Sequence, residues 1–136
     1  MSDGARRVGI VLVSHSAAVA ESVALLAQGL AGGTAAPVAP AGGTADGGLG
    51  TSSDLVAAAA HRVDRGAGVA ILTDLGSAVL TVKALIAEGD ELPARTRLVD
   101  APFVEGAVAA VVTASAGGDL SAVEAAAQEA YSYRKV

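Results

Sequence analysis

The sequence of 136 residues contains no cysteine and no tryptophan, one phenylalanine and two tyrosines. Without cysteine there is no disulfide, no thiolate metal site and no Cys nucleophile. With so few aromatic side chains the interior has to be filled by small ones, chiefly alanine with valine and leucine, and the elements must pack closely. Charge is sparse and acidic: nine Lys and Arg against fourteen Asp and Glu leave a net −5, with an isoelectric point near 4.8. The cations are scattered, with short pairs such as Arg6-Arg7 and Arg134-Lys135. A nucleic-acid surface, which needs clustered Lys and Arg to neutralise phosphates, is therefore not expected. A long hydrophobic run is missing too. Gly106 to Ala116 is nearly uncharged, but it is well short of the ~20 residues that cross a bilayer, so no membrane association is expected. The apolar segment Val8 to Val13 is short and runs into Ser-His-Ser rather than a cleavage site, which argues against a secretory signal. The simple reading is a soluble cytoplasmic protein.

What is present points to a folded α/β chain. A hydrophobic fraction of 52% and a mean hydropathy of +0.53 argue against disorder. The length suits one domain over residues 1–136. Arg7 to Val13 is a continuous apolar run rich in β-branched residues, expected of a strand buried on both faces. Ser16 to Leu30 has Val19, Val23, Leu26 and Leu30 at helical spacing, and Gly32-Gly33 is its predicted end. A weak strand is predicted over Ala36 to Ala39, beside prolines that favour a sheet edge. Ala41 to Gly50 holds five glycines and reads as a loop. Ser52, Ser53 and Asp54 are capping types before a helix from Leu55 to Arg65. Gly68 to Thr73 is a second buried strand, Ser77 to Glu88 a helix, Thr96 to Asp100 a fourth strand. Pro102 to Ala114 and Leu120 to Tyr131 read as closing helices.

Strands alternating with helices predict an open, mainly parallel four-stranded sheet with helices on both faces. An order of 2-1-3-4 puts its reversal between the first and third strands, and ligands bind beyond the carboxyl ends of strands at such a reversal. The first strand ends at Ser14-His15-Ser16 and the third at Thr73-Asp74-Leu75-Gly76-Ser77, so both polar turns are expected on one edge. A carboxylate on one ring N–H of a histidine fixes the tautomer and leaves the other nitrogen as a nucleophile. Asp74 is placed to orient His15 in this way. The amide groups opening the helix at Ser16, with the hydroxyls of Ser14, Ser16 and Ser77, suit the oxygens of a phosphoryl group. The loop from Gly42 to Thr51 is expected to lie over the same edge, where glycine permits close approach. The plainer alternative keeps His15 as a polar loop residue and Asp-Leu-Gly-Ser as a strand-to-helix turn capped by Ser77.

Other motifs carry less. The glycine clusters match neither a Walker loop nor a dinucleotide fingerprint. His61 has no second ligand at metal spacing and reads as a surface residue, so no metal site is expected. Glu105 opens a helix, where a carboxylate favours the dipole in any case.

Val11-Leu-Val-Ser-His-Ser16, Ala41-Gly-Gly-Thr44, Gly50-Thr-Ser52, Thr73-Asp-Leu-Gly-Ser-Ala78 and Ala101-Pro-Phe-Val-Glu-Gly106 occur together and in order. This set resembles the phosphoryl-carrier subunit of phosphotransferase-dependent dihydroxyacetone kinases, related to the mannose-type IIA proteins. The resemblance implies a homodimer whose His15 takes phosphate from the histidine phosphocarrier protein, with Asp74 orienting the ring. Ser14, Ser16, Thr51, Gly76 and Ser77 then surround the phosphoryl group. The phosphate passes to ADP on the nucleotide-binding kinase subunit, so this chain itself binds no cofactor. The rival within the relay is the IIA domain of a mannose-type sugar transport system. A non-catalytic α/β ligand-binding domain is the bland alternative. A receiver-type signalling domain phosphorylated at Asp74 would need an acidic pair where this sequence has Ser-His-Ser.

Overall fold

The computed structural model describes residues 6–32 and 36–136, and the strand and helix order read from the sequence is present in it. Along the chain come β1 (Gly9–Ser14), α1 (Ala17–Leu30), β2 (Val38–Gly42), α2 (Ser53–Val63) and β3 (Val69–Thr73). They are followed by α3 (Gly76–Glu88), β4 (Thr96–Leu98), α4 (Phe103–Ser115), α5 (Leu120–Glu129) and a 3-10 turn at Ala130–Ser132. The sheet order is β2-β1-β3-β4, and all three pairings are parallel.

Alternation along the central strands builds a core on each face. Ile10, Leu12, Ala70 and Leu72 meet α1, α4 and α5 on one side. Val11, Val13, Val69 and Ile71 meet α2 and α3 on the other. Alanines supply much of the helix side of both layers: Ala24, Ala27, Ala107, Ala110, Ala114 and Ala127 in the first, Ala59, Ala60 and Ala78 in the second. Helices that present methyl groups approach the sheet closely, and Gly106 shows how closely. A Cβ there would lie 2.8 Å from that of Ala101 and 3.2 Å from Leu72 Cδ2, which accounts for a glycine inside α4.

Several boundaries differ from the sequence expectation, among them α2, which runs Ser53–Val63 rather than Leu55 to Arg65. The second strand runs Val38–Gly42 rather than Ala36 to Ala39, because its register with β1 pairs Val38 with Ile10 and Gly42 with Ser14. As an edge strand it tolerates Pro40, and Pro37 contributes its carbonyl to Ile10 N–H at 2.9 Å. The fourth strand stops at Leu98, although Val99 N–H still reaches the Ile71 carbonyl at 2.9 Å. The last α-helix ends at Glu129 and tightens into the 3-10 turn. The end of α1 at Leu30 is as expected, with Ala31 as the cap and Gly32 at φ 79°; Gly33, the other half of the predicted stop, lies outside the described residues.

Gly42 matters for the site because it brings β2 against the start of α1. A Cβ there would collide with the Ser16 carbonyl oxygen and stand 2.7 Å from Ala17 Cα. Gly42→Ala is expected to destabilise the fold by about 2 kcal/mol, within the usual range for overpacking. Urea unfolding tests this: the midpoint should fall at constant slope, and an unchanged midpoint would refute the close approach.

Candidate functional site

β1 and β3 are neighbours whose last rungs pair Val13 with Thr73. The residues that follow, His15 and Asp74, therefore emerge side by side at the carboxyl edge, and Asp74 N–H still bonds the Val13 carbonyl at 3.1 Å. The Asp74 carboxylate accepts four hydrogen bonds. Its Oδ2 receives the Ser14 hydroxyl at 2.9 Å and the His15 backbone N–H at 3.0 Å. Its Oδ1 receives the His15 ring at Nδ1, 3.0 Å away, and the Leu75 N–H at 2.7 Å.

Partial burial works to raise the Asp74 pKa, but the donors from His15 and Ser14 outweigh it and hold the carboxyl below its ordinary 3.8. At neutral pH Asp74 is thus an anion that can only accept, which assigns a proton to Nδ1; in the neutral form of the ring the lone pair is then on Nε2, facing outward. There it meets the Ser77 hydroxyl at 2.5 Å. The His15 and Asp74 side chains are 24% and 17% exposed, so the pair is sheltered without being sealed. Since the folded-state pKa of Asp74 lies below the unfolded one, its contribution to stability is complete above the unfolded value. That contribution is lost as pH falls through the lowered folded value.

The groups expected around a phosphoryl oxygen divide in two. Ser77 sits on Nε2. It forms no helix cap: Leu75 is the N-cap residue of α3 and makes no side-chain bond, while Ser77 lies inside the first turn and turns its hydroxyl to the ring. The opening amides of α3, at Gly76, thus lack the side-chain acceptor that Ser16, Ser52 and Asp119 supply to α1, α2 and α5. Ser16 is engaged at α1, accepting from Val19 N–H at 3.2 Å, and its own N–H goes to Ser14 Oγ at 3.1 Å. Ser14 is 1% exposed and stands beneath Asp74, away from Nε2. Thr51 pairs with Thr81, Oγ1 to Oγ1 at 2.9 Å.

The glycine loop lies over the edge as its composition suggested. Gly43 N–H reaches the Ser14 carbonyl at 3.0 Å and Gly50 N–H the His15 carbonyl at 2.9 Å. Leu49, which precedes Gly50, Leu75, which follows Asp74, and Leu80 on α3 are 83%, 60% and 68% exposed. A cleft of about 490 Å³ between α3 and β4 has Asp74, Lys83, Asp100 and Tyr131 in its wall, but not His15. His61 is exposed on α2 with Nε2 3.0 Å from the Glu91 carbonyl, and Glu105 pairs with Lys135. Among the described residues no three His, Asp or Glu side chains cluster as metal ligands. No helix among them is long and apolar enough to cross a membrane.

Comparison with known proteins gives the chain its family. Residues 9–124 match the EIIA-man family, the fructose IIA component of the phosphotransferase system. The chain belongs to this family. An Escherichia coli (strain K12) relative, the PEP-dependent dihydroxyacetone kinase phosphoryl donor subunit DhaM, is 36% identical over 119 residues, 85% of this chain. The match spans only 25% of that relative's length. The phosphoryl donor subunit DhaM of dihydroxyacetone kinase 2 from Listeria innocua is 36% identical over 77% of this chain and 84% of its own. A crystal structure of a protein of unknown function superposes with a TM-score of 0.83 at 30% identity, covering 96% of this chain and 98% of that one. A sigma-54 interaction domain protein from Enterococcus faecalis shares the fold at a TM-score of 0.71 and 20% identity. Membership of the IIA family sets aside the receiver-domain alternative. Sequence reading overlooked Thr81 in this IIA domain, and its signal was the i+4 spacing from Ser77 on one helix face.

Proposed function

We propose that the chain is a phosphohistidine carrier of a phosphoenolpyruvate-dependent dihydroxyacetone kinase, acting in the cytoplasm through His15. The observation that carries this reading is the Nδ1–Asp74 hydrogen bond, which leaves Nε2 as the nucleophile at the edge of the sheet. The Nε2 lone pair attacks the phosphorus of the charged histidine phosphocarrier protein. As the new N–P bond forms, the donor's N–P bond breaks and its electron pair returns to the donor ring. Positive charge that develops on the His15 ring is balanced by Asp74 through Nδ1–H. Ser77 releases Nε2 and donates to a phosphoryl oxygen, with the Gly76 amide and the Ser16 hydroxyl as further donors. Ser14 and Thr51 contribute indirectly, by holding Asp74 and α3. In the second half, a terminal oxygen of ADP on the nucleotide-binding kinase subunit attacks the same phosphorus, and the His15 N–P pair returns to the ring. This chain brings no cofactor or metal of its own, and its own phosphorylation needs neither.

Two features favour protein partners over a free small phosphate. His15 lies outside the wall of the cleft beside it, and exposed leucines occur on the segments that meet it: Leu49 before Gly50, Leu75 after Asp74 and Leu80 on α3. Exposed apolar side chains on such segments suit a docking protein. A second copy belongs to the same reading, supported by the exposed apolar groove between α1 and α4 that Leu26, Leu30, Val104 and Val112 line.

The reading is tested with the phosphocarrier protein charged beforehand and magnesium then chelated. The chain should gain one acid-labile, base-stable phosphate, the signature of a phosphoramidate. Adding the two kinase subunits with Mg-ADP and dihydroxyacetone should discharge it and form dihydroxyacetone phosphate. Labelling without discharge would move the assignment to a sugar-transport IIA domain, and no labelling would overturn the carrier reading.

A further inference from the structure

A closed circuit of hydrogen bonds begins and ends at His15 and passes through a residue outside its immediate surroundings. The His15 carbonyl accepts from Gly50 N–H at 2.9 Å. The next residue, Thr51, meets Thr81 on the second turn of α3, Oγ1 to Oγ1 at 2.9 Å. The Thr81 hydroxyl donates to the Ser77 carbonyl at 3.4 Å, and the Ser77 hydroxyl returns to His15 Nε2 at 2.5 Å. With the Thr81 proton on Ser77, Thr51 is the donor of the threonine pair. The circuit joins the turn after β1, the glycine loop after β2 and the first turns of α3, three segments separated along the chain.

We infer that Thr81 is a positioning residue for phosphoryl transfer: it ties the glycine loop to α3 and so fixes the Ser77 hydroxyl on Nε2 of His15. This rests on the carrier reading above. Thr81 touches no reacting atom. Leu75 makes no capping bond at the start of α3, so the helix's first turn is held less firmly from its own end. The link from Thr81 to Thr51, whose side chains are only partly buried, supplies a lateral tie. Loss of that tie lets Ser77 drift from the line between Nε2 and the incoming phosphorus. Small displacements of this kind slow chemistry without weakening partner docking.

Thr81→Val keeps the shape and removes the hydroxyl, and Thr81→Ser restores it. With charged phosphocarrier protein at saturation, Thr81→Val is expected to slow single-turnover labelling roughly 10-fold while KM for the donor stays at the wild-type value. Thr81→Ser should recover most of the rate. In the uncharged protein, the 15N resonance of His15 Nε2 should move in Thr81→Val, as the Ser77 hydrogen bond loosens, and return in Thr81→Ser. A Thr81→Val chain with wild-type rate and resonance would overturn the assignment, as would a loss of rate that serine does not rescue. If the wild-type chain takes no phosphate, the carrier reading fails by itself, and the Nε2 resonance still decides whether Thr81 positions Ser77.

Discussion

His15→Ala is expected to take up no phosphate from the charged phosphocarrier protein, while His61→Ala takes up as much as the wild type. These are the two histidines of the chain, and their surroundings differ in every respect that bears on nucleophilicity. His15 has an anionic acceptor on Nδ1 and a hydroxyl on Nε2. His61 sits exposed near the end of α2 and offers Nε2 to the Glu91 carbonyl, a neutral acceptor that ties up that nitrogen. Among the described residues no carboxylate bonds its other nitrogen, so none balances charge there as an N–P bond forms. Acid-quenched and base-treated gels read the outcome directly, since a phosphoramidate survives base and is lost in acid. Label that persists in His15→Ala would make the central assignment wrong. Label lost in His61→Ala alone would transfer the role to α2.

Asp74→Ala should fold and still be phosphorylated, but on the order of 10- to 1000-fold more slowly, the span that orientation and acid–base effects cover. Four donors converge on this carboxylate: two from His15, one from Ser14 and one from Leu75. Removing it frees the ring to rotate and to exchange tautomers, so Nε2 carries the lone pair for only part of the time. Asp74→Asn is the sharper test. One of its two terminal atoms becomes a donor and must face two existing donors, so the amide cannot replace the carboxylate, and the rate should remain well below wild type. Circular dichroism and urea titration at several pH values separate rate from stability. Since Asp74 titrates below 3.8 in the folded state, the stability gap between wild type and Asp74→Ala should be full at neutral pH and close in acid. Unchanged labelling kinetics in both variants would return Asp74 to the role of a turn former.

The local pattern of residues was enough to settle the order of elements and the edge at which His15 and Asp74 meet. An apolar run rich in β-branched residues such as Val8 to Val13 suits a strand buried on both faces, and apolar residues three and four apart in α1 suit a helix. Parallel connections with right-handed crossovers then leave few ways to wind four strands, and His15 and Asp74 follow at the reversal. Boundaries at the sheet edges were less legible. Where β2 starts depends on its register against β1, a contact between residues 10–14 and 38–42 that local propensity does not encode.

The roles of individual hydroxyls were decided only in three dimensions. Ser77 has the residue type and place of a helix cap, yet its Oγ lies on a ring 62 positions earlier in the chain. Ser14 stands next to His15 in sequence, but strand alternation and the Asp74 turn bury it beneath the carboxylate. Thr51 and Thr81 meet across 30 positions for the same reason. A hydroxyl rotates freely and bonds whichever acceptor the packed elements bring within about 3 Å. Its partner is therefore fixed by how closely alanine- and glycine-rich surfaces let the loop, α3 and β1 approach, and that distance exists only in the assembled fold.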